Sequence, residues 1–248
     1  MKKLLLILTF ICLKSSGFGQ SVKDSSIQVL MTGLHFSIQQ PQFDLNKRFG
    51  NNLNVGIPIW FKMKNNFVFG MQANYFFGNS VKEDIIKSFR NEDGTIINNT
   101  GVPATIRIFE RGLSIFGELG KIFPTSKKNK NTGIITMIGF GYLQHKIKFY
   151  NPARDVAQLA GTKYKGYDRL SGGPAARFFL GYFYLSKNKL ANFYFGMECI
   201  YGYTQGIRGY QYDLMNEDNA KRNDALLGIN LGWVLPFYKR TPQEFYYN

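Results

Sequence analysis

The sequence predicts an all-β fold, an eight-stranded antiparallel up-and-down transmembrane β-barrel. Three observations predict it. Apolar residues alternate with small or polar ones in eight separate segments. Short and long connections between those segments take strict turns, the asymmetry of barrels with short periplasmic turns and longer extracellular loops. Aromatic residues make up 16% of the chain, beside 26 glycines, and many lie at segment ends, where interfacial girdles form.

The elements follow in order. Residues 1–19 join two lysines to the apolar run Leu4 to Leu13 and then to small residues, the form of a cleaved signal peptide. Cys12 sits between Ile11 and Leu13, unlike the small-residue setting of a lipidated cysteine. Residues 20–238 are then the barrel and 239–248 a periplasmic tail. Without the leader 28 basic and 16 acidic residues remain, a net charge of +12. Cys199 is the one cysteine left, so no intrachain disulfide is expected.

Strands are predicted at 27–39, 52–64, 67–78, 105–123, 133–149, 173–185, 191–204 and 224–238. In the second and third, Leu53, Val55, Ile57, Ile59 and Phe61 share a face that resumes as Phe67, Phe69, Met71 and Tyr75. Asn54, Gly56, Trp60, Lys62, Gly70, Gln72 and Asn74 lie opposite, and Lys64-Asn65-Asn66 makes the turn. Later strands repeat the pattern with Phe178, Leu180 and Tyr182, with Phe195, Met197, Cys199 and Tyr201, and with Leu227, Ile229, Leu231 and Trp233. Eight strands enclose a space just wide enough for side chains. The aromatic face therefore belongs outside, against lipid, and Gly, Asn, Ser and a few charges inside. Pro58 cannot donate to a ladder and is expected at a bulge or local defect. Connections 65–66, 124–132 and 186–190 form the short set; 40–51, 79–104, 150–172 and 205–223 form the long one. The mixed-sign stretches VKEDIIKSFRNEDG and YDLMNEDNAKRND in the long set read as solvated loop tips.

The charges are informative by place. Arg177, Glu198 and Glu118 fall on the inner face, expected as a buried ion pair that plugs the barrel, with a gate or proton path as the functional alternative. His35 and His145 also point inward; two histidines without a cysteine partner make a poor zinc site, so no metal and no cofactor are expected. Lys62, Lys64, Lys127, Lys128, Lys130, Lys187, Lys189, Lys239 and Arg240 gather in the short turns and tail, against Glu244 alone. Such basic turns suit the anionic head groups of outer-membrane lipids, or an acidic periplasmic partner. Nucleic acid is excluded as a partner, because a secreted barrel does not meet it.

The signal sequence ending in Gly-Gln, the eight strands and the Gly-x-Gly-Tyr at 139–142 together resemble the small outer-membrane barrels of Bacteroidota, an OmpA/OmpX-type group that includes PorT-like proteins. The resemblance spans essentially the whole mature chain. It implies a non-enzymatic structural, anchoring or surface-interaction component of the Gram-negative cell envelope, with a secretion or gliding complex as the implied assembly. Some small barrels of this kind modify lipid A. That alternative would rest on His145 near the extracellular end, with Ser171, Asp155 and Asp168 close in sequence to its rim.

Overall fold

The computed structural model describes residues 26–153, 155–186 and 190–238; the expected leader and tail lie outside this range. Eight strands are present: β1 (Val29–Gln42), β2 (Asn52–Lys62), β3 (Phe67–Gly78), β4 (Arg107–Pro124), β5 (Gly133–Tyr150), β6 (Ser171–Tyr184), β7 (Phe193–Gly206) and β8 (Lys221–Phe237). Each pairs antiparallel with its neighbours in sequence, and β8 pairs with β1 to close the ring. All eight expected segments are strands, with ends displaced by at most three residues.

The register sets the dimensions. Stepping across paired residues from Thr32 through Ile59, Met71, Gly117, Phe140, Ala176, Tyr201 and Ala225 returns to β1 at Gln42, ten residues further along. With eight strands, that stagger gives a tilt of about 40° and a backbone radius of about 8 Å. Inward side chains fill such a tube. β4 and β5 outgrow the ring: Glu110 is the last β4 residue paired to β3 and His145 the last β5 residue paired to β6. Arg107–Phe109 and Lys146–Tyr150 therefore continue as a two-stranded ribbon.

The connections 63–66, 125–132 and 185–192 share one end; 43–51, 79–106, 151–170 and 207–220 share the other. Segregation by end holds, although the β1–β2 link exceeds 125–132 by only one residue. Residues 26 and 238, the outer limits of the described barrel, lie at the short-turn end beside Lys62. The first turn needs a left-handed residue, and Asn66 supplies it at φ 66°. Its amide also donates to the Lys130 carbonyl at 3.1 Å, tying the first short turn to the second.

Outward residues make a belt that is apolar all round. Phe36 and Ile38, Ile57 and Ile59, Phe69 and Met71, Ile115 and Leu119, Ile138 and Phe140, Phe178 and Leu180, Phe195 and Met197, and Ile229 and Leu231 are all exposed. Phe67, Phe123, Tyr182, Phe193, Trp233 and Phe237 ring its short-turn edge; Tyr75, Tyr142, Tyr201 and Tyr203 mark the other.

The interior departs from the expected filling of small polar residues. Trp60, Phe76, Phe116, Phe179, Phe183 and Tyr194 are all fully inside. Glycine makes this possible. Tyr194 lies opposite Gly232 across β7–β8, and Phe76 opposite Gly112 across β3–β4. A Cβ on Gly112 would stand 2.0 Å from the Phe76 ring, and one on Gly232 2.2 Å from that of Tyr194. At these two pairs a large ring takes the space of a missing side chain, so volume is conserved.

Pro58 marks the expected local defect: it interrupts the β1–β2 ladder between Thr32–Ile59 and His35–Gly56, and since the register is the same on both sides the defect is a gap and not a bulge. One further expectation is corrected. The long loops are not merely solvated tips. Leu45, Phe49, Ile85, Ile86, Phe89, Ile96 and Val156 are buried together with Phe76, Leu143 and Leu226 of the wall, forming a cap over the barrel mouth. The first of these belong to α1 (Phe43–Arg48) and the residue after it.

Gly112→Ala is expected to cost about 1–3 kcal/mol by overpacking against Phe76. Combining it with Phe76→Ala should cost less than the sum of the two single changes. Urea unfolding of the refolded barrel in detergent measures both; additivity would show that ring and glycine do not share space.

Candidate functional site

The most densely bonded polar group lies in the lumen. Arg177, from β6, is 1% exposed. Its Nε and Nη2 donate to Glu198 Oε2 at 3.0 and 2.9 Å, and its Nη1 donates to Glu118 Oε1 at 2.6 Å. In register, Arg177 faces Gly139 of β5, which faces Glu118 of β4. The missing side chain at Gly139 lets the arginine reach over one strand to the next. Glu198 also accepts from Ser37 at 2.5 Å, Gln39 at 2.9 Å and Asn230 at 3.2 Å, while Glu118 accepts from Trp60 Nε1 at 2.8 Å. The Phe179 ring lies 5.3 Å from the guanidinium carbon. Side chains from β1, β2, β4, β6, β7 and β8 thus meet at one cation.

His35 is buried in the same layer, and neither ring nitrogen has a protein partner among the described residues. Buried polar atoms of this kind are ordinarily satisfied by internal water. His145 lies higher, with Nε2 2.8 Å from Asp224 Oδ2, and Thr204 donates to the same oxygen at 2.5 Å. Asp224 was not singled out in the sequence, because it sits at the edge of a loop rich in charges. Ser171 is the cross-strand partner of His145, but its hydroxyl donates to the Arg169 carbonyl at 3.1 Å. Asp155 accepts from Asn98 and Asp168 from Arg208, so neither joins His145. His145 is 1% exposed and lies inside the wall, away from any lipid face. Among the described residues no group of three His, Cys, Asp or Glu could hold a metal.

Of the basic turns, Lys64, Lys127, Lys128 and Lys130 are exposed at the short-turn end, whereas Lys187, Lys189, Lys239 and Arg240 lie outside the described residues. Lys62 departs from the expected turn cluster. It is fully buried, and its Nζ donates to Ser26 Oγ, the Ile27 carbonyl and Asn131 Oδ1 at 3.0, 3.0 and 2.9 Å. Strand parity dictates this: Lys62 follows Trp60 on the inward face.

A second network closes the mouth and was not visible in the sequence. Glu83 accepts from Arg48 at 2.8 Å and from Arg169 at 2.7 Å; Arg169 also makes a two-pronged bond to Asp213 at 2.7 and 2.5 Å and donates to Gln211. Gln211 donates to Asp218 at 2.6 Å, which also pairs with Arg222. All four long loops take part, directly or through their adjoining strand ends. Arg169 holds φ at 49°, a costly conformation for a non-glycine residue, and the network fixes it there. Burial works against its charge, but the bonds to Asp213 and Glu83 outweigh burial and raise its pKa. Arg48 is lowered, chiefly by burial.

No family model and no curated protein matches the chain. Among solved structures, Neisserial surface protein A shares 10% identity at a TM-score of 0.46, covering 84% of this chain and 97% of its own. Ail, the attachment invasion locus protein of Yersinia pestis, in complex with the heparin analogue sucrose octasulfate, shares 10% identity at 0.40, covering 84% and 99%. The outer membrane protein OprG from Pseudomonas aeruginosa shares 11% at 0.39, covering 89% and 100%. Closure of the strand register, not these likenesses, establishes the barrel.

Arg177→Leu strands two buried carboxylates and is expected to cost about 3–5 kcal/mol. Arg177→Leu with Glu198→Leu should be milder than the sum of the singles but still leaves Glu118 without its cation. Adding Glu118→Gln should recover further stability, while lipid-side Phe195→Leu has a much smaller effect. Urea unfolding of this series in lipid vesicles is the measurement; additive leucine singles would show that the pair is uncoupled.

Proposed function

We propose that the chain is a non-enzymatic outer-membrane barrel, closed to solutes, serving as a structural, anchoring or surface-interaction component of a Gram-negative envelope after removal of its signal peptide. One observation supports this most: an apolar belt runs right round the outside of a closed ring whose interior is filled by packed rings and a hydrogen-bonded charge layer. Water would leave that belt unsatisfied, whereas lipid matches it, and a closed ring leaves no backbone edge unpaired in the hydrocarbon.

The interior favours a sealed body over a porin. At the short-turn end Met31, Trp60, Val68, Ile122, Ile135, Phe179, Phe183 and Tyr194 pack into an apolar plug. At the other end the loop cap closes the mouth. The ion pair and its neighbours lie between two apolar seals. Lipid A chemistry has no such support, since His145 is shut inside with Asp224. The surfaces left for interaction are the loop cap outside and the exposed lysines of the short turns, facing the inner leaflet or an acidic periplasmic protein. Association with a secretion or gliding complex is the finer form of this reading, tested by detergent pull-down and mass spectrometry of the captured proteins.

In planar bilayers the refolded barrel is expected to show no large, steady conductance, and on gels to migrate differently before and after heating. Open channels of porin size would refute the sealed reading. Extraction of the mature protein into buffer without detergent would remove the membrane assignment.

A further inference from the structure

We propose that the outer wall of β4 and β5 at the long-loop end holds the phosphate-bearing headgroup of a phosphorylated glycolipid of the surrounding outer leaflet. This rests on the membrane reading above and assigns a specific lipid site to it.

Arg111 of β4 and Lys146 of β5 are direct cross-strand partners on the outward face. Like charges in that relation repel. Lys148 follows on the same face of β5, paired with Phe109, and Arg107 lies at the end of the β4 ribbon. None of the ion pairs among the described residues includes any of these four cations. Several acids at this end are engaged elsewhere: Glu83 by Arg48 and Arg169, Asp84 by Arg90, Asp168 by Arg208, Asp218 by Arg222, and Asp155 accepts from Asn98. The neighbouring Glu110 is buried on the inner face. Arg111 donates to the Gly78 and Glu110 carbonyls and lies 5.1 Å from the Phe109 ring, contacts that position its charge without cancelling it, so the wall carries a cationic patch that an external anion would neutralise.

Its level identifies the anion. Outward residues of β5 run Ile138, Phe140, Tyr142, Gln144, Lys146 and Lys148; those of β4 run Leu119, Ile115, Leu113 and Arg111. This order is apolar, then aromatic or neutral polar, then cationic. Leu113 and Arg111 are one outward position apart, about 7 Å along the strand. A phosphate anchored by acyl chains lying against Leu113 and Ile115 would meet Arg111 and Lys146. A groove of about 770 Å³ lies there, lined among others by Tyr75, Leu113, Arg111, Lys146 and Lys148 and, from the β5–β6 loop, by Leu159. That volume accommodates a sugar-phosphate headgroup.

The test uses the mature barrel refolded in neutral detergent, titrated with diphosphoryl lipid A and with the same lipid dephosphorylated, and read by native mass spectrometry. Wild type is expected to retain one diphosphoryl lipid A, and to bind the dephosphorylated form about tenfold more weakly. R111Q/K146Q should lose retention of the phosphorylated lipid by about tenfold or more, while K82Q/K87Q, the same charge change on the exposed β3–β4 loop outside the groove, should not. Millimolar inorganic phosphate should not displace the lipid, because the site uses the acyl anchor as well. Should R111Q/K146Q not refold, Lys148→Gln alone is expected to weaken retention about fivefold. Equal binding of both lipids, equal loss in the control pair, or displacement by free phosphate would each overturn the site. Insertion of wild type into neutral phospholipid vesicles tests the membrane reading separately. Failure to insert overturns both proposals; insertion without preference for the phosphorylated lipid overturns this one alone.

Discussion

A cation inside a tube of about 8 Å backbone radius must be answered on every side, because isolated charge is costly away from water. Arg177 is answered by Glu198 and Glu118, and each carboxylate is answered in turn by Ser37, Gln39, Asn230 or Trp60. The satisfaction of one charge therefore fixes the inward rotamers of six strands. Each partner is a strand neighbour at a set register, so the network is complete only when the ring is closed and every strand is in place. A slip of one residue in any of those six strands would carry a partner to the lipid face. We read the trio as a register lock whose net contribution to stability is smaller than its contribution to uniqueness.

Around that polar layer, packing follows from one rule of space. Several large inward rings face a glycine across the ladder, while at the short-turn end Phe183 faces Tyr194 directly and the rings pack on one another. Phe76 over Gly112 and Tyr194 over Gly232 are the clearest cases. Gly139 serves the same purpose for polar contacts, leaving the path between Arg177 and Glu118 open. Many strand glycines thus serve the lumen, while Gly94, Gly101 and Gly161 serve loops at positive φ. On the outer face no such pairing is needed, since lipid adapts to the surface it meets.

The strands, their closure and their inside–outside parity were legible because alternation in a barrel is enforced by two different solvents. A period of two is written in Leu53 to Phe61 as plainly as in Leu227 to Trp233. Parity also placed Arg177, Glu198, Glu118, His35 and His145 inward before any coordinate. It placed Lys62 opposite the apolar face as well, while nearness to the turn grouped the same residue with the basic cluster; the buried amine shows that the pleat governs to the last residue of the strand. The cap was illegible for a different reason. Ile85, Ile86 and Phe89 sit among acids and lysines with no regular period, and their burial depends on Leu45, Phe49 and Val156 from other loops. Nor does any local signal join Arg169 to Glu83 and Asp213, which lie far apart in sequence.

These features separate two ends with different physics. At the short-turn end the exposed Lys64, Lys127, Lys128 and Lys130 stand on short connections, so their positions follow largely from the strands. At the long-loop end the barrel invests in structure: an apolar cap, an arginine held at positive φ and a salt-bridged mouth. A loop that only avoided aggregation would need none of these. Ordering four loops into one body costs conformational entropy that a solvated tip would keep. That cost is offset here by buried apolar side chains and paired charges, and its product is a surface of fixed shape. A loop surface ordered in this way over a filled lumen is what the proposed surface-interaction role would use.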